Sequence, residues 1–340
     1  MKTNPLVCIC VPNYNNEKTL SQTLDSLVNQ TYPNIIIKVF DNASTDGSIE
    51  ILRAYEAKYP YLHVIQNETN IGGEANFTKC IENMEGDYSA VYHSDDLYLP
   101  QMVESQVDFL ENHLDCVAVS THAQTIDGNS TLTGERYLPD EYTHQKFKIF
   151  DDEIALLKTT LKHGNIITCP SVMARCDVYK NKIAFWNGKE YLTSADLDVW
   201  LRLASYGKFA FLTTALMQYR VSESSYSYNL ARIRVDRGDI FLVLDAYIDR
   251  YKNALEKSDF VHYKFQKFKD NLSVMLNRMI LGKPHKGYTI DILDWDLFIL
   301  ALSGRLHAKI YIYGWIAKIL SWVDFLPVGR YLLKWKRFGK

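Results

Sequence analysis

The 340-residue chain contains no run of about 18 uncharged apolar residues, so no segment reads as a membrane-spanning helix. Its six cysteines, Cys8, Cys10, Cys80, Cys116, Cys169 and Cys176, show no metal-type pairing, which suits a reducing compartment. The net charge is −2, so no global field points to nucleic acid. No charged-then-apolar leader precedes the first apolar run, and the expected location is the cytoplasm. There is no internal repeat and no low-complexity linker. What remains is an ordinary globular composition, 47% hydrophobic and 23% charged. The chain is long enough for one large domain and a smaller appendage.

The first 120 residues alternate strand and helix patterns. Apolar or β-branched runs at 6–12, 35–40, 62–65, 88–93 and 116–120 read as strands. Between them, Leu20, Leu24, Leu27 and Val28 recur at helical spacing, and further helices are expected through Ile51, Leu52 and Tyr55, after the segment 67–77, and over 101–113. This order predicts an α/β fold, a mostly parallel sheet covered by helices, with ligands beyond the carboxyl ends of the strands. Residues 121–150 read as polar and irregular. A helix is expected around 151–162 and another from near Asp196, then two short strands at 209–212 and 215–220. Everything after about 228 reads helical, which puts a boundary near 225.

Asp41 and Asp95 both sit at strand ends, which assigns them to one site. Either could be ordinary turn chemistry, since an aspartate after a strand bonds nearby backbone amides. Asp46 and Thr45 could likewise cap the following helix. The adjacent pair Asp95-Asp96 is harder to explain so, because like charges repel and one cap needs only one carboxylate. A divalent cation bridging a phosphate would offset the repulsion.

Five segments, in order, carry a resemblance. They are "VPNYNNEKTLSQTLDSLVNQTYPNIIIKVFDNASTDGS", "NETNIGGEANF" (67–77), "HSDDLYLP" (93–100), "SADLDVWLRLASYG" (194–207) and "YRVSESSYS" (219–227). Together they resemble family 2 glycosyltransferases over about residues 5–227. The resemblance implies a GT-A fold, with nucleotide-sugar binding over about 1–120, the acceptor side over about 121–225, and a helical region over 226–340. It implies an inverting transfer from a nucleotide-diphosphate sugar, a UDP-sugar foremost, to a surface or polyprenyl-linked glycan. Pro12, Tyr14 and Asp41 would line the base and ribose pocket. Asp95 would ligate Mg²⁺ or Mn²⁺, Asp96 would support it, and His93 would bond ribose or phosphate. Asp196 would be the general base. Its place in the first turn of a helix, with Thr193 three residues ahead, suggests a capping box and a helix end that favours the ionised carboxylate. The competing reading makes Asp196 a cap and Asp198 a surface charge.

Three positions depart from the family's pattern: His93 where an acid is common, Ala195 where a glutamate is, and Ser222 where a histidine is. They leave open a second class of function, an inactive GT-A domain acting as a nucleotide-sugar binder or scaffold. A nucleotidyltransferase is opposed by the lack of a Gly-rich basic loop after the first strand. Residues 305–340 hold eight cations against Asp324. Within them Ile312, Trp315, Ile316, Ile319, Leu320 and Val323 make one helical stripe. That stripe reads either as a face packed on the protein or as an interfacial helix on an anionic membrane, with Trp322 and Trp335 near the headgroups.

Overall fold

The computed structural model describes residues 4–221, 234–284, 288 and 290–322. The boundary expected at 225, Ser222, Val323 and Trp335 lie outside the described residues, as do the side chains of Leu320 and Trp322. The chain divides into two compact units, Met1–Leu157 with Asn165–Glu223, and Lys158–Gly164 with Ser224–Lys340.

The first unit is built on strands β1 (Val7–Asn13), β2 (Ile35–Asp41), β3 (Leu62–Gln66) and β4 (Tyr88–Val91). Helices α1 (Glu17–Val28), α2 (Ser48–Lys58) and α3 (Gly73–Glu82) connect them. The four strands are parallel neighbours in the order β3-β2-β1-β4. The chain therefore winds outward in one direction from β1 and returns to its other side with β4. That reversal opens a crevice at the carboxyl ends of β1 and β4, where open α/β sheets take their ligands. Val7, Cys8, Ile9, Cys10 and Val11 are wholly buried, as a strand covered on both faces requires. Leu20, Leu24 and Leu27 of α1 close one side of that core.

Beyond β4 the sheet turns mixed. Helix α4 (Met102–Asn112) and the short strand β5 (Leu97–Tyr98) lead into β6 (Cys116–Ile126), β7 (Leu132–Glu135) and β8 (Phe147–Phe150). Helix α5 (Glu153–His163), β9 (Met173–Arg175), α6 (Ala195–Ala204) and β10 (Lys208–Arg220) follow. β9 runs antiparallel between β4 and β6, while β6 and β10 form a long parallel ladder.

Two expectations need correction here. Residues 121–150 are not irregular: β6 continues through Ser120, Thr121 and His122, which are buried although polar, and two further strands follow. Polar residues in a central strand erase the apolar alternation on which the sequence pattern depends. Residues 209–212 and 215–220 are not two strands but one, bulged between Leu212 and Ala215 where Thr213 and Thr214 interrupt the apolar run.

The second unit contains α7 (Ile240–Tyr251), α8 (Lys257–Ile280), α9 (Trp295–Leu302) and α10 (Arg305–Trp322). A capping box starts α8, in which the Glu256 and Asp259 side chains each bond the other's backbone amide. Asp294 caps α9 by accepting from the Leu297 amide. Phe265, Phe268, Met275, Leu297, Tyr311 and Ala317 join α8, α9 and α10 in one apolar cluster.

Candidate active site

The crevice is bordered by three strand ends. Pro12 is half-buried in β1 and Tyr14, just past it, is exposed. Asp41 ends β2 directly opposite Asn13 and is completely buried. One of its oxygens accepts from Asn13 Nδ2 at 2.9 Å and from the Ser44 hydroxyl at 2.6 Å, and the other accepts from the Ser44 amide at 3.0 Å. These are the bonds of a turn carboxylate, and they leave about one of its four acceptor positions for a ligand. Beside it, Asn42, Asn67, Asn70 and Asn76 bond to one another, and Asn76 Nδ2 anchors the group on the Phe40 carbonyl. Asn13 and all four of these amides lie in segments that carry the resemblance, but the sequence assigns none of them a role in the site. What distinguishes Asn13, Asn42, Asn67 and Asn76 is burial, a tertiary property.

On the other side of β1, residues 93–96 leave β4. His93, Asp95 and Asp96 each offer a ligand atom, and these atoms lie within 4.8 Å of one another. Asp96 is wholly buried, and only one of its carboxylate oxygens is satisfied, by the Arg220 backbone amide at 2.7 Å. The other has no hydrogen-bond partner, and His93 Nδ1 stands 3.7 Å from it, too far for a bond. His93 Nε2 is likewise buried and without a partner. Burial, reinforced by the neighbouring Asp95 charge, pushes the Asp96 carboxyl well above the usual carboxylate range. Burial also pulls His93 below its ordinary value, which keeps the ring neutral with a lone pair to give. Buried acceptors without donors are uncommon because each costs about 1–3 kcal/mol. Two such atoms beside a second carboxylate make an oxygen-rich seat with one imidazole, which fits a divalent cation such as Mg²⁺ or Mn²⁺.

The loop that holds these groups is pinned from a residue that the sequence reading quoted without giving it a role. Arg220, at the end of β10, is almost wholly buried. Its guanidinium donates to the carbonyls of Asp95 at 2.6 Å and Asp127 at 3.0 Å, to Ser130 Oγ at 3.0 Å and to Gln22 Oε1 at 3.0 Å. Thr23 adds bonds to the carbonyls of Ser94 and Asp96, and Asn16 Nδ2 donates to the Ser94 hydroxyl. Replacing Arg220 with methionine removes these four hydrogen bonds at once and strands the part-buried carbonyls of Asp95 and Asp127. Urea unfolding is expected to show a loss of about 3 kcal/mol, with lysine recovering only part of it because it lacks the planar fork.

Asp196 stands in the first turn of α6. Its carboxyl accepts from the Leu197 amide at 2.7 Å and from Asn165 Nδ2 at 3.4 Å. The expected capping box is not formed: the cap is Ser194, and its side chain makes no capping bond. Nor does the helix end dominate the carboxyl's chemistry. Burial raises its pKa to about 6, against the pull of the Leu197 amide and the Arg136 charge. Burial pushes the Cys169 thiol well above its ordinary value, and the charges of Asp196 and Asp96 add to that rise. An aromatic series ties α6 to the acidic loop: His93 meets the edge of Phe77 at 5.6 Å, Phe77 lies 4.6 Å from Trp186, and Trp186 meets Trp200 of α6 at 6.4 Å.

Asp198 is not a surface charge. It is buried and pairs with Arg202 at 2.8 Å, and Arg202 in turn clamps the carbonyls of Ile183 and Phe185. Adjacent acids on one helix thus divide between structure and site. Ala195, where an acid would stand in the family's pattern, is buried and brings no charge.

Comparison with known proteins agrees with this geometry. The sequence profile of Glycosyl transferase family 2 matches residues 8–181. The putative glycosyltransferase EpsE of Bacillus subtilis is 30% identical over 248 residues, which is 72% of this chain and 83% of that protein. The putative teichuronic acid biosynthesis glycosyltransferase TuaG of the same organism is 28% identical over 226 residues, 66% of this chain and 82% of that protein. Among solved structures, S. aureus TarS 1-349 in complex with UDP-GlcNAc superposes with a TM-score of 0.54 at 17% identity, over 83% of this chain and 88% of that one. The mannosyltransferase PcManGT from Pyrobaculum calidifontis, in complex with GDP-Man and Mn²⁺, gives 0.56 at 14% identity over 95% and 88%. At such identities the two structures establish the shared GT-A fold.

Proposed function

The chain belongs to glycosyl transferase family 2 and is a glycosyltransferase; from that premise we propose that it transfers a sugar from a nucleoside diphosphate, UDP foremost, to a hydroxyl of a growing surface or lipid-linked glycan, with inversion. The observation that carries the reading is the seat at His93–Asp96, where two unpartnered buried side-chain atoms lie beside the Asp95 carboxylate. Its neighbours in fold hold UDP-GlcNAc in one case and GDP-Man with Mn²⁺ in the other, which supports a nucleotide donor and a divalent ion. The name of TuaG supports an acceptor among bacterial surface polymers. A polyprenyl-linked acceptor in this reading would put the work in the cytoplasm at the inner face of the cell membrane.

In this reading Pro12, Tyr14 and Asp41 border the base and ribose. Asp95 and His93 hold the cation, with Asp96 behind them. When bound, Mg²⁺ or Mn²⁺ supplies positive charge for the departing diphosphate. Asp196 takes the acceptor hydroxyl's proton as the new C1–O bond forms. The C1–O bond to phosphate breaks on the opposite face, and its electron pair leaves on the nucleoside diphosphate. One displacement inverts the anomeric centre.

Calorimetric titration with UDP, GDP, CMP and dTDP, each with and without Mn²⁺, tests the reading. Binding of one diphosphate that strengthens with Mn²⁺ is the expected result. No binding of any nucleotide overturns it. Binding with no turnover of any donor on lipid-linked acceptors would favour a nucleotide-sugar scaffold, the reading that Ala195 and His93 motivate.

A further inference from the structure

Within the second unit, α10 carries apolar side chains on two faces, alongside Arg305, Lys309 and Lys318. One face is packed: Gly314 lies against the Phe268 ring so closely that a Cβ there would come within 2.3 Å of it, and Tyr311 and Ala317 are buried in the same cluster. The stripe read from the sequence is on the other face. Ile312, Trp315, Ile316 and Ile319 are between 40% and 55% exposed. α9 repeats the arrangement, with Leu297 and Ala301 inward and Trp295, Ile299 and Leu302 outward at 51% to 73% exposure. Helices apolar on both faces belong in an interior, and here one face of each has no protein over it among the described residues.

Charge decides what covers them. Arg305, Lys309 and Lys318 lie on α10 with no acid, and residues 323–340 add five cations against Asp324. A symmetric pairing with a second copy would bring two such basic stretches together. An anionic surface offsets them. No described helix is long and apolar enough to cross a membrane, so the contact is with the surface and not across it.

We propose that the outward faces of α9 and α10 form a docking surface for an anionic lipid bilayer, with the helices lying in its plane. Isoleucine and leucine side chains enter the acyl boundary, the tryptophans sit at headgroup level, and the lysines and arginines meet lipid phosphates. The inference stands on the second unit alone and does not need the transfer chemistry.

The test is co-sedimentation of the full chain with vesicles of equal parts phosphatidylglycerol and phosphatidylcholine, alongside vesicles of phosphatidylcholine only. Binding to the anionic vesicles is expected to be at least about 10-fold tighter, to weaken with added salt, and to shift tryptophan emission to the blue. A double variant, Ile316→Glu with Ile319→Glu, is expected to lose binding about 10-fold or more while circular dichroism and thermal unfolding stay unchanged, because both side chains are already exposed. Equal binding to both vesicle types, no binding to either, or an unaffected double variant would overturn the proposal. So would a concentration-dependent dimer in sedimentation velocity that the same double variant abolishes, since a second copy would then be what covers the face.

Discussion

Asp196→Asn is expected to lower kcat by about 10²–10⁴-fold while making the folded protein more stable at pH 8. Both effects have one cause. The carboxyl is held where burial raises its pKa to about 6, so the folded protein carries an ionised group in a site that disfavours it. In the unfolded chain the same group titrates near 3.9. Between about pH 4 and 6 the folded state therefore holds the extra proton, and stability falls as pH rises through that window. Above it the full penalty is present. Asparagine removes the charge and the penalty, a gain on the order of 1–2 kcal/mol for a half-buried group, or a few degrees in Tm. At pH 4 the two proteins should melt nearly together. The wild-type rate should rise with pH through about 6 and then level, as the base becomes available. Equal melting temperatures at pH 8, with activity retained, would remove Asp196 from the mechanism. Lost activity with no gain in stability would leave the base but deny the strain.

Asp95→Asn is expected to remove Mn²⁺-dependent nucleotide binding and to lower kcat/KM at least about 100-fold. The argument is electrostatic. Arg220 already satisfies one Asp96 oxygen, and the other is buried deep behind His93, so Asp95 is the carboxylate that reaches the crevice. Asparagine keeps its size and removes its charge, leaving one imidazole and a carboxyl that burial pushes well above the usual carboxylate range. The same change relieves like-charge repulsion on Asp96, so stability in the absence of metal should hold or rise slightly. Titration of UDP into the variant with and without Mn²⁺ is the direct measurement. An unchanged metal response would move the cation elsewhere in the crevice.

Much of this was legible without coordinates. Short apolar or β-branched runs separated by helical spacing predict the parallel strands β1 to β4 and the helices between them, while their order β3-β2-β1-β4 comes from pairing in the fold. The position of Asp41 and Asp95 at strand ends, and the resemblance carried by five ordered segments, point to the same crevice. Leu97 and Tyr98 of β5 give no strand signal of their own, because two residues become a strand only by pairing with Met217 and Gln218. The run 116–120 marks the start of β6, but its polar continuation through Thr121 and His122 carries no such pattern, since neighbouring strands and not alternation extend it to Ile126.

The sequence by itself determined the kinds of residue at the site and their order along the chain, because local spacing sets which residues end a strand or open a helix. Only the tertiary structure decided what those residues are. Burial against distant elements makes Asp96 an unsatisfied acceptor, raises Asp196 toward neutrality, makes Asp198 a structural partner and turns Arg220 into the pin of the acidic loop. It also decided that the apolar stripe of α10 faces outward, because Gly314 gives the opposite face the closer approach to Phe268. Desolvation and packing depend on what surrounds an atom, and that is fixed only when segments far apart in the chain come together.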